Sequence, residues 1–208
     1  MTQYPHLANF NTSEGHWLDR NLYRPIVQEL YANYKIKEIL EVGFNIGYSS
    51  SMWLEFDPDK KSCITSIDIG IHKDTLPASK AVKDLHGERF SFILCDSKKV
   101  LKQLKNKLFD LAFIDGDHTE PGIYNDVHLC LELGVPLLLF DDYYIDNDVH
   151  PVKKICEQNF KNKLSLIKVF HLEGHASKIA LYSNDTIHTS KNYLARQISF
   201  LSPKSPRN

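Results

Sequence analysis

The sequence predicts an α/β protein, a three-layer sandwich built on a mainly parallel sheet. Three observations predict it. Short apolar runs alternate with helix-like stretches from residue 37 to residue 182. The central runs, such as KEILEVGF and FDLAFI, are continuously apolar rather than alternating, as in strands buried on both faces. The last two runs are joined by HLEGHAS, too short for a parallel crossover, so as neighbours they pair antiparallel.

The elements follow in order. Residues 14–34 read as one or two helices, with Leu22, Ile26, Val27 and Leu30 at helical spacing. Strands are expected at 37–44, 63–69, 90–95, 109–114 and 136–140, and the closing pair at 164–170 and 178–182. Helices are expected at 49–55, 79–85, 97–104, 123–133 and 149–160. The chain divides into an N-terminal helical lead-in (1–36), a catalytic core (37–185) and a polar tail (186–208) rich in Pro, Ser and Lys.

Composition narrows the function classes. The 208 residues suit one domain, and 42% hydrophobic residues suffice for one sizeable core. A formal net charge of -1 gives no basic field for nucleic acid or an anionic membrane. The four cysteines, Cys63, Cys95, Cys130 and Cys156, form no CxxC and read as free thiols of a reducing compartment. MTQYPHLANF is too polar for a signal peptide, and no apolar run approaches the ~18 residues of a membrane span. A cytoplasmic location is expected, and the sequons at Asn11 and Asn184 read as chance.

In an open α/β sheet, ligands bind beyond the carboxyl ends of the strands. Every parallel run delivers polar or acidic residues there. The first gives Glu41, Gly43, Gly47 and Ser49, and the second Asp68. The third gives Asp96, the fourth Asp115, Asp117 and His118, and the fifth Asp141 and Asp142. Gly43 and Gly47 allow a tight turn and close approach to a ligand, but in a GxxxG spacing rather than the GxGxxG of dinucleotide folds. Asp68, at the end of the second strand, can accept hydrogen bonds from ribose hydroxyls. Three carboxylates converging from adjacent strand ends repel one another, and a hard divalent cation removes that conflict. His171 and His175 in HLEGH lack the HExxH pattern and give no zinc site. Tyr143 and Tyr144 are candidate pocket walls, and Trp53 is assigned to the core.

The succession EVGFNIGYSS, SIDIG, LCDS, FDLAFIDGDHT and LLLFDDYY resembles class I S-adenosylmethionine (AdoMet)-dependent methyltransferases over roughly residues 37–145. It is similar in particular to the metal-dependent branch of catechol-type and sugar O-methyltransferases. The resemblance implies a seven-stranded sheet with an antiparallel last strand. It also implies that Glu41 and Gly43 line the methionine part of AdoMet, with Gly47 in the same cofactor-binding loop, that Ser49 bonds its carboxylate, and that Asp68 holds the ribose. Asp96 and Ser97 would lie by the adenine. Asp115, also at the cofactor edge, would join Asp141 and Asp142 as ligands of a divalent cation, Mg²⁺ first. The catechol-type pattern has an amide where this chain has Asp142. Asp117 or His118 would take the acceptor's proton.

The expected activity is metal-assisted O-methylation of a small hydroxylated molecule. Two rivals stand beside it: a metal-independent N- or carboxyl-methyltransferase, and an AdoMet-binding protein without catalysis. A nicotinamide dehydrogenase is a weak third, because GxGxxG is missing. No nucleic-acid or membrane partner is expected, and the oligomeric state, a homo-oligomer included, is open. The acceptor is not encoded legibly; segments 1–34, 71–78 and 143–150 are expected to shape its pocket.

Overall fold

The structure, a computed structural model, describes residues 4–10, 20–144 and 151–189. Seven strands form one sheet in the order β3-β2-β1-β4-β5-β7-β6. Strands β1 (Glu38–Val42), β2 (Cys63–Asp68), β3 (Phe90–Leu94), β4 (Leu111–Ile114) and β5 (Leu137–Tyr143) run parallel. Strand β7 (Lys178–Asn184) is antiparallel to both β5 and β6 (Leu164–His171), as the short HLEGHAS link requires.

Helices cover both faces. They are α1 (Arg20–Asn33), α2 (Tyr48–Phe56), α3 (Thr75–His86), α4 (Ser97–Leu104), α5 (Glu120–Glu132) and the short α6 (Pro151–Lys154). One core unites α1, α2 and α3 with one face of the sheet and contains Trp53, fully buried as the sequence reading has it. The other lies under α4, α5 and α6 and contains Val100, Val127, Leu138 and Phe140. All four residues of β4 are buried, which is why the run reads as continuously apolar. Among the described residues no helix is long and apolar enough to cross a membrane.

Several boundaries differ from the sequence reading for identifiable reasons. Strand β4 starts at Leu111, not residue 109, because the Asp110 carboxylate accepts the backbone N–H groups of Lys37 (2.9 Å) and Glu38 (3.0 Å). Helix α3 starts at Thr75, so segment 71–78 gives the first turn of a helix rather than only a loop. Helix α5 starts at Glu120, capped by the Thr119 hydroxyl, which accepts from Gly122 N at 3.2 Å. The helix expected at 149–160 is one α-turn followed by a π-turn, Ile155–Asn159; residues 149–150 lie outside the described residues, as do 145–148 of the acceptor segment and 190–208 of the tail.

Strand β5 runs past residue 140 to Tyr143. Its pairing with β7 shifts between Phe140 and Tyr143, and Asp142 takes φ 53°. This bulge re-aims the side chains at the strand's carboxyl end.

The connection order reverses between β1 and β4. The carboxyl ends of these two strands flank the switch point, where α/β sheets open a crevice.

Candidate active site

A cleft of about 900 Å³ opens at that edge. Its walls include the 42–49 loop, Asp68, Asp96, Ser97, Asp115, Asp117, His118, Asp141 and Asp142, so residues from all five parallel strand ends meet in one space. The volume suits a nucleoside-sized ligand and its acceptor.

The glycine loop is built from the backbone outward. Gly43 adopts φ +93°, and a Cβ there would stand 2.0 Å from the Asp115 carbonyl oxygen. Only glycine lets β1 turn this close to β4. Gly47, at φ +84°, donates its N–H to the Phe44 carbonyl at 2.8 Å and starts α2. Asp68 braces the turn: Oδ2 accepts from Phe44 N and Asn45 N, both at 2.9 Å, and Oδ1 accepts from Gly70 N at 2.6 Å. An ionised carboxylate has about four acceptor positions, so about one remains for a ligand hydroxyl.

Glu41 requires a correction. The resemblance implies that it lines the cofactor site, but it is completely buried and is not part of the cleft wall. Its carboxylate accepts from Ser49 Oγ (2.5 Å), Ser66 Oγ (2.5 Å) and Ser50 Oγ. Burial pushes its pKa up to about 7 against the opposing pull of these three hydroxyls. Ser49 does line the cleft, so Glu41 reaches the cleft wall only through its bond with Ser49.

Beside the glycine loop, at the ends of β4 and β5, Asp115, His118 and Asp142 each present a ligand atom within 4.8 Å of the others. His118 Nδ1 lies 3.4 Å from Asp142 Oδ2, and Nε2 lies 3.8 Å from Asp115 Oδ1. This grouping differs from the expected triad of carboxylates: His118 stands with Asp115 and Asp142, while Asp141 keeps a place in the cleft wall. The bulge is the cause. Asp141 is buried, and its Oδ1 accepts the backbone N–H of Asp142 at 2.9 Å, while Asp142 swings toward His118. Asp117 is exposed, and its Oδ1 accepts from Thr119 N at 3.0 Å. That bond leads the effects that hold its carboxyl below the usual range.

Residues 40–143 match a family described as a methyltransferase domain, and the match spans half of the chain. The chain belongs to this methyltransferase family. No curated protein matches the sequence. Solved structures with the same fold include the S-adenosylhomocysteine-bound methyltransferase PaMTH1 of Podospora anserina. It shares 19% identity at a TM-score of 0.60, over 88% of this chain and 83% of that one. The 1,6-didemethyltoxoflavin-N1-methyltransferase of Burkholderia thailandensis, solved with 1,6-didemethyltoxoflavin and S-adenosylhomocysteine, shares 16% at 0.60, over 81% and 80%. An O-methyltransferase family protein from the same organism shares 13% at 0.57, over 79% and 57%. At these identities the likeness is one of fold, the AdoMet-dependent class I methyltransferase fold.

The methyltransferase cleft holds one acid that sequence reasoning missed. Asp126 on α5 is only 2% exposed yet forms part of the cleft wall. Its Oδ1 has no hydrogen-bond partner among the described residues, and its Oδ2 lies 3.2 Å from where a Gly116 Cβ would stand. Burial raises its pKa to about 7; a bond with Ser97 opposes the shift, and the negative charge of Asp117 adds to it. The signal was present in the spacing. Ile123, Asp126, Val127 and Cys130 share one helical face, so an acid stands in the core stripe of α5.

Proposed function

We propose that this methyltransferase binds AdoMet across the 43–49 loop, Asp68, Asp96 and Ser97, and methylates a hydroxyl group of a small molecule. We further propose a divalent cation held by Asp115, Asp142 and His118. The observation that carries the reading is the opening of both features into one cleft: a tight glycine turn at the switch point and a carboxylate–imidazole cluster facing it.

The residues present fit a nucleoside cofactor. The space that a Gly43 Cβ would fill is needed for the turn, the N-terminus of α2 offers N–H groups and a positive dipole end to a carboxylate, and Ser49 is turned by Glu41. Asp68 keeps about one acceptor position for the ribose. Asp96 stands at the far wall beside Ser97, with Oδ1 accepting Lys98 N at 2.9 Å. Two carboxylates and an imidazole fit Mn²⁺ or Mg²⁺ with water completing the shell. When bound, AdoMet supplies an electrophilic methyl group and the cation acidifies an acceptor hydroxyl. The chain's own contribution is alignment and water exclusion, with Asp117 beside the cluster as the candidate proton acceptor.

A second reading has its own observation. His118 Nδ1 lies 3.4 Å from Asp142 Oδ2, a contact that orients the ring, while Nε2, 3.8 Å from Asp115 Oδ1, is beyond hydrogen-bond distance of that carboxylate and is the nitrogen that would take a proton as a general base without metal. That reading extends to nitrogen acceptors. Calorimetry with AdoMet and S-adenosylhomocysteine tests the cofactor site, and failure of both to bind removes the proposal. Methyl transfer to a panel of hydroxylated and amino metabolites, with and without chelator and with Mn²⁺ added back, separates the two readings. Activity that survives chelation selects the metal-free base.

A further inference from the structure

On the α2–α3 face, away from the cleft, three side chains converge from separate parts of the chain. His6 lies in the 3₁₀ turn Pro5–Leu7, Glu55 near the end of α2, and His86 at the end of α3. One donor atom of each lies within 4.8 Å of the other two. The two imidazoles meet edge to face, centroids 6.1 Å apart with an interplanar angle of 86°. We propose that His6, Glu55 and His86 form a second metal site, selective for zinc-class ions, that ties the N-terminal turn to α2 and α3.

The donor set decides the ion. Two imidazole nitrogens and one carboxylate suit Zn²⁺, Ni²⁺ or Cu²⁺, whereas Mg²⁺ and Ca²⁺ favour oxygen. Tetrahedral zinc places its ligand atoms about 3.3 Å apart, given bonds of about 2.0–2.1 Å, so the three groups close by small side-chain rotations. A fourth position stays open to water.

The local environment has prepared these groups. The Nε2 atom of His86 is buried and has no hydrogen-bond partner among the described residues. A buried ring nitrogen without a partner is costly, and a metal bond removes that cost. Burial, with Arg20 nearby, lowers the pKa of His6; burial, with His6, Arg89 and Lys60 nearby, lowers that of His86 to about 4. Metal binding takes the neutral imidazole, whose ring nitrogen keeps its lone pair. The Ser51 hydroxyl, 2.9 Å from His6 Nε2, fixes the first ring. His86 sits in the last turn of α3, where the carbonyl end of the helix favours a cation.

Glu55 is shared. Its Oε2 pairs with Arg20, and its Oε1 has no partner among the described residues. Arg20 is also held over the Tyr4 and Phe56 rings at 5.0 Å each, so it keeps its place when Glu55 turns to a metal. The charges of Arg20, Arg89 and Lys60 oppose a bound cation, so micromolar rather than nanomolar affinity is expected.

The test uses the full chain, stripped with chelator and carrying His118→Ala to silence the cluster in the cleft. Zn²⁺ is titrated by calorimetry, and unfolding temperature is read in parallel. One equivalent should bind with micromolar affinity and raise the unfolding temperature, while Mg²⁺ at the same concentration should do neither. Adding His86→Ala or His6→Ala should weaken the binding by about tenfold or more and abolish the thermal shift. Where circular dichroism shows a histidine variant to be unfolded, Glu55→Gln takes its place with the same expectation. Zinc binding that survives these substitutions, or no zinc binding to the His118→Ala chain, overturns the site. Neither outcome bears on the cleft, which uses other residues.

Discussion

Ser49 donates its hydroxyl to Oε1 of the fully buried Glu41 at 2.5 Å, so a side chain of the cleft wall is held from behind by an acid outside that wall. Glu41 also carries a pH signature. Its folded pKa is raised from 4.5 to about 7, chiefly by burial. A raised carboxyl pKa means that the folded state holds the proton more tightly than the unfolded state. The stabilising contribution is therefore complete below about pH 4.5 and is lost as pH rises toward about 7, by about 3 kcal/mol in all. Glu41→Gln should flatten this dependence, because a neutral amide does not titrate. Urea unfolding at pH 5, 6, 7 and 8 should show the parent losing stability across the window and the variant losing less. Parallel curves would assign the pH dependence to other groups.

Gly43→Ala should be severe. The added methyl would stand 2.0 Å from the Asp115 carbonyl oxygen at φ +93°, so strain and steric conflict add. A destabilisation of about 2–4 kcal/mol is expected from backbone strain plus overpacking. Chemical denaturation measures it directly; a change below about 0.5 kcal/mol, the scale of neutral surface substitutions, would mean that β1 and β4 do not meet at this point.

Asp68 holds three backbone N–H groups and has about one acceptor position left. Asp68→Ala should therefore damage the loop and the cofactor site together. S-adenosylhomocysteine affinity should fall by about 1.5–3 kcal/mol, the range for hydrogen bonds to a charged group, and unfolding stability should fall as well. Affinity lost with stability intact would assign Asp68 to the ligand alone. Stability lost with affinity intact would make it a loop brace and no more.

The order of strand ends is legible in the sequence for a physical reason. A strand buried on both faces stays apolar until it leaves the sheet, and the first acid marks the exit, as Asp115 does after the wholly buried β4; Asp68 and Asp96 mark the ends of β2 and β3 in the same way, although those strands also carry Ser or Thr. Three features escape a first reading of the sequence. Glu41 lies inside an apolar run, and nothing local shows that three serines enclose it, since Ser66 arrives from another strand. Asp126 looks like the polar side of an amphipathic helix until its phase is compared with Ile123 and Val127. His118 and Asp141 exchange places beside Asp142 because a bulge breaks the two-residue alternation, and bulges leave no reliable mark in the flanking residues.

That exchange gives the sharpest prediction for the cleft. If Asp115, His118 and Asp142 hold a divalent cation, Asp142→Asn and His118→Ala should each weaken Mn²⁺ binding by about tenfold or more, the scale seen when a metal's supporting contacts are removed. Asp141→Asn should do little. The retained amide oxygen can still accept the Asp142 backbone N–H, so the bulge and the direction of Asp142 survive. Asp141→Ala removes that acceptor and should fall between the two, because it loosens the bulge without deleting a ligand. Electron paramagnetic resonance counts free Mn²⁺ in each titration, and S-adenosylhomocysteine affinity measured without metal serves as the folding control. The pattern separates three cases. Losses at residues 118 and 142 alone assign the cation to the imidazole-containing set. An equal loss in Asp141→Asn restores the all-carboxylate triad that the sequence first suggests. No Mn²⁺ binding by the parent favours the metal-free reading, with His118 oriented through Nδ1 by Asp142 and Nε2 as the nitrogen that takes the proton.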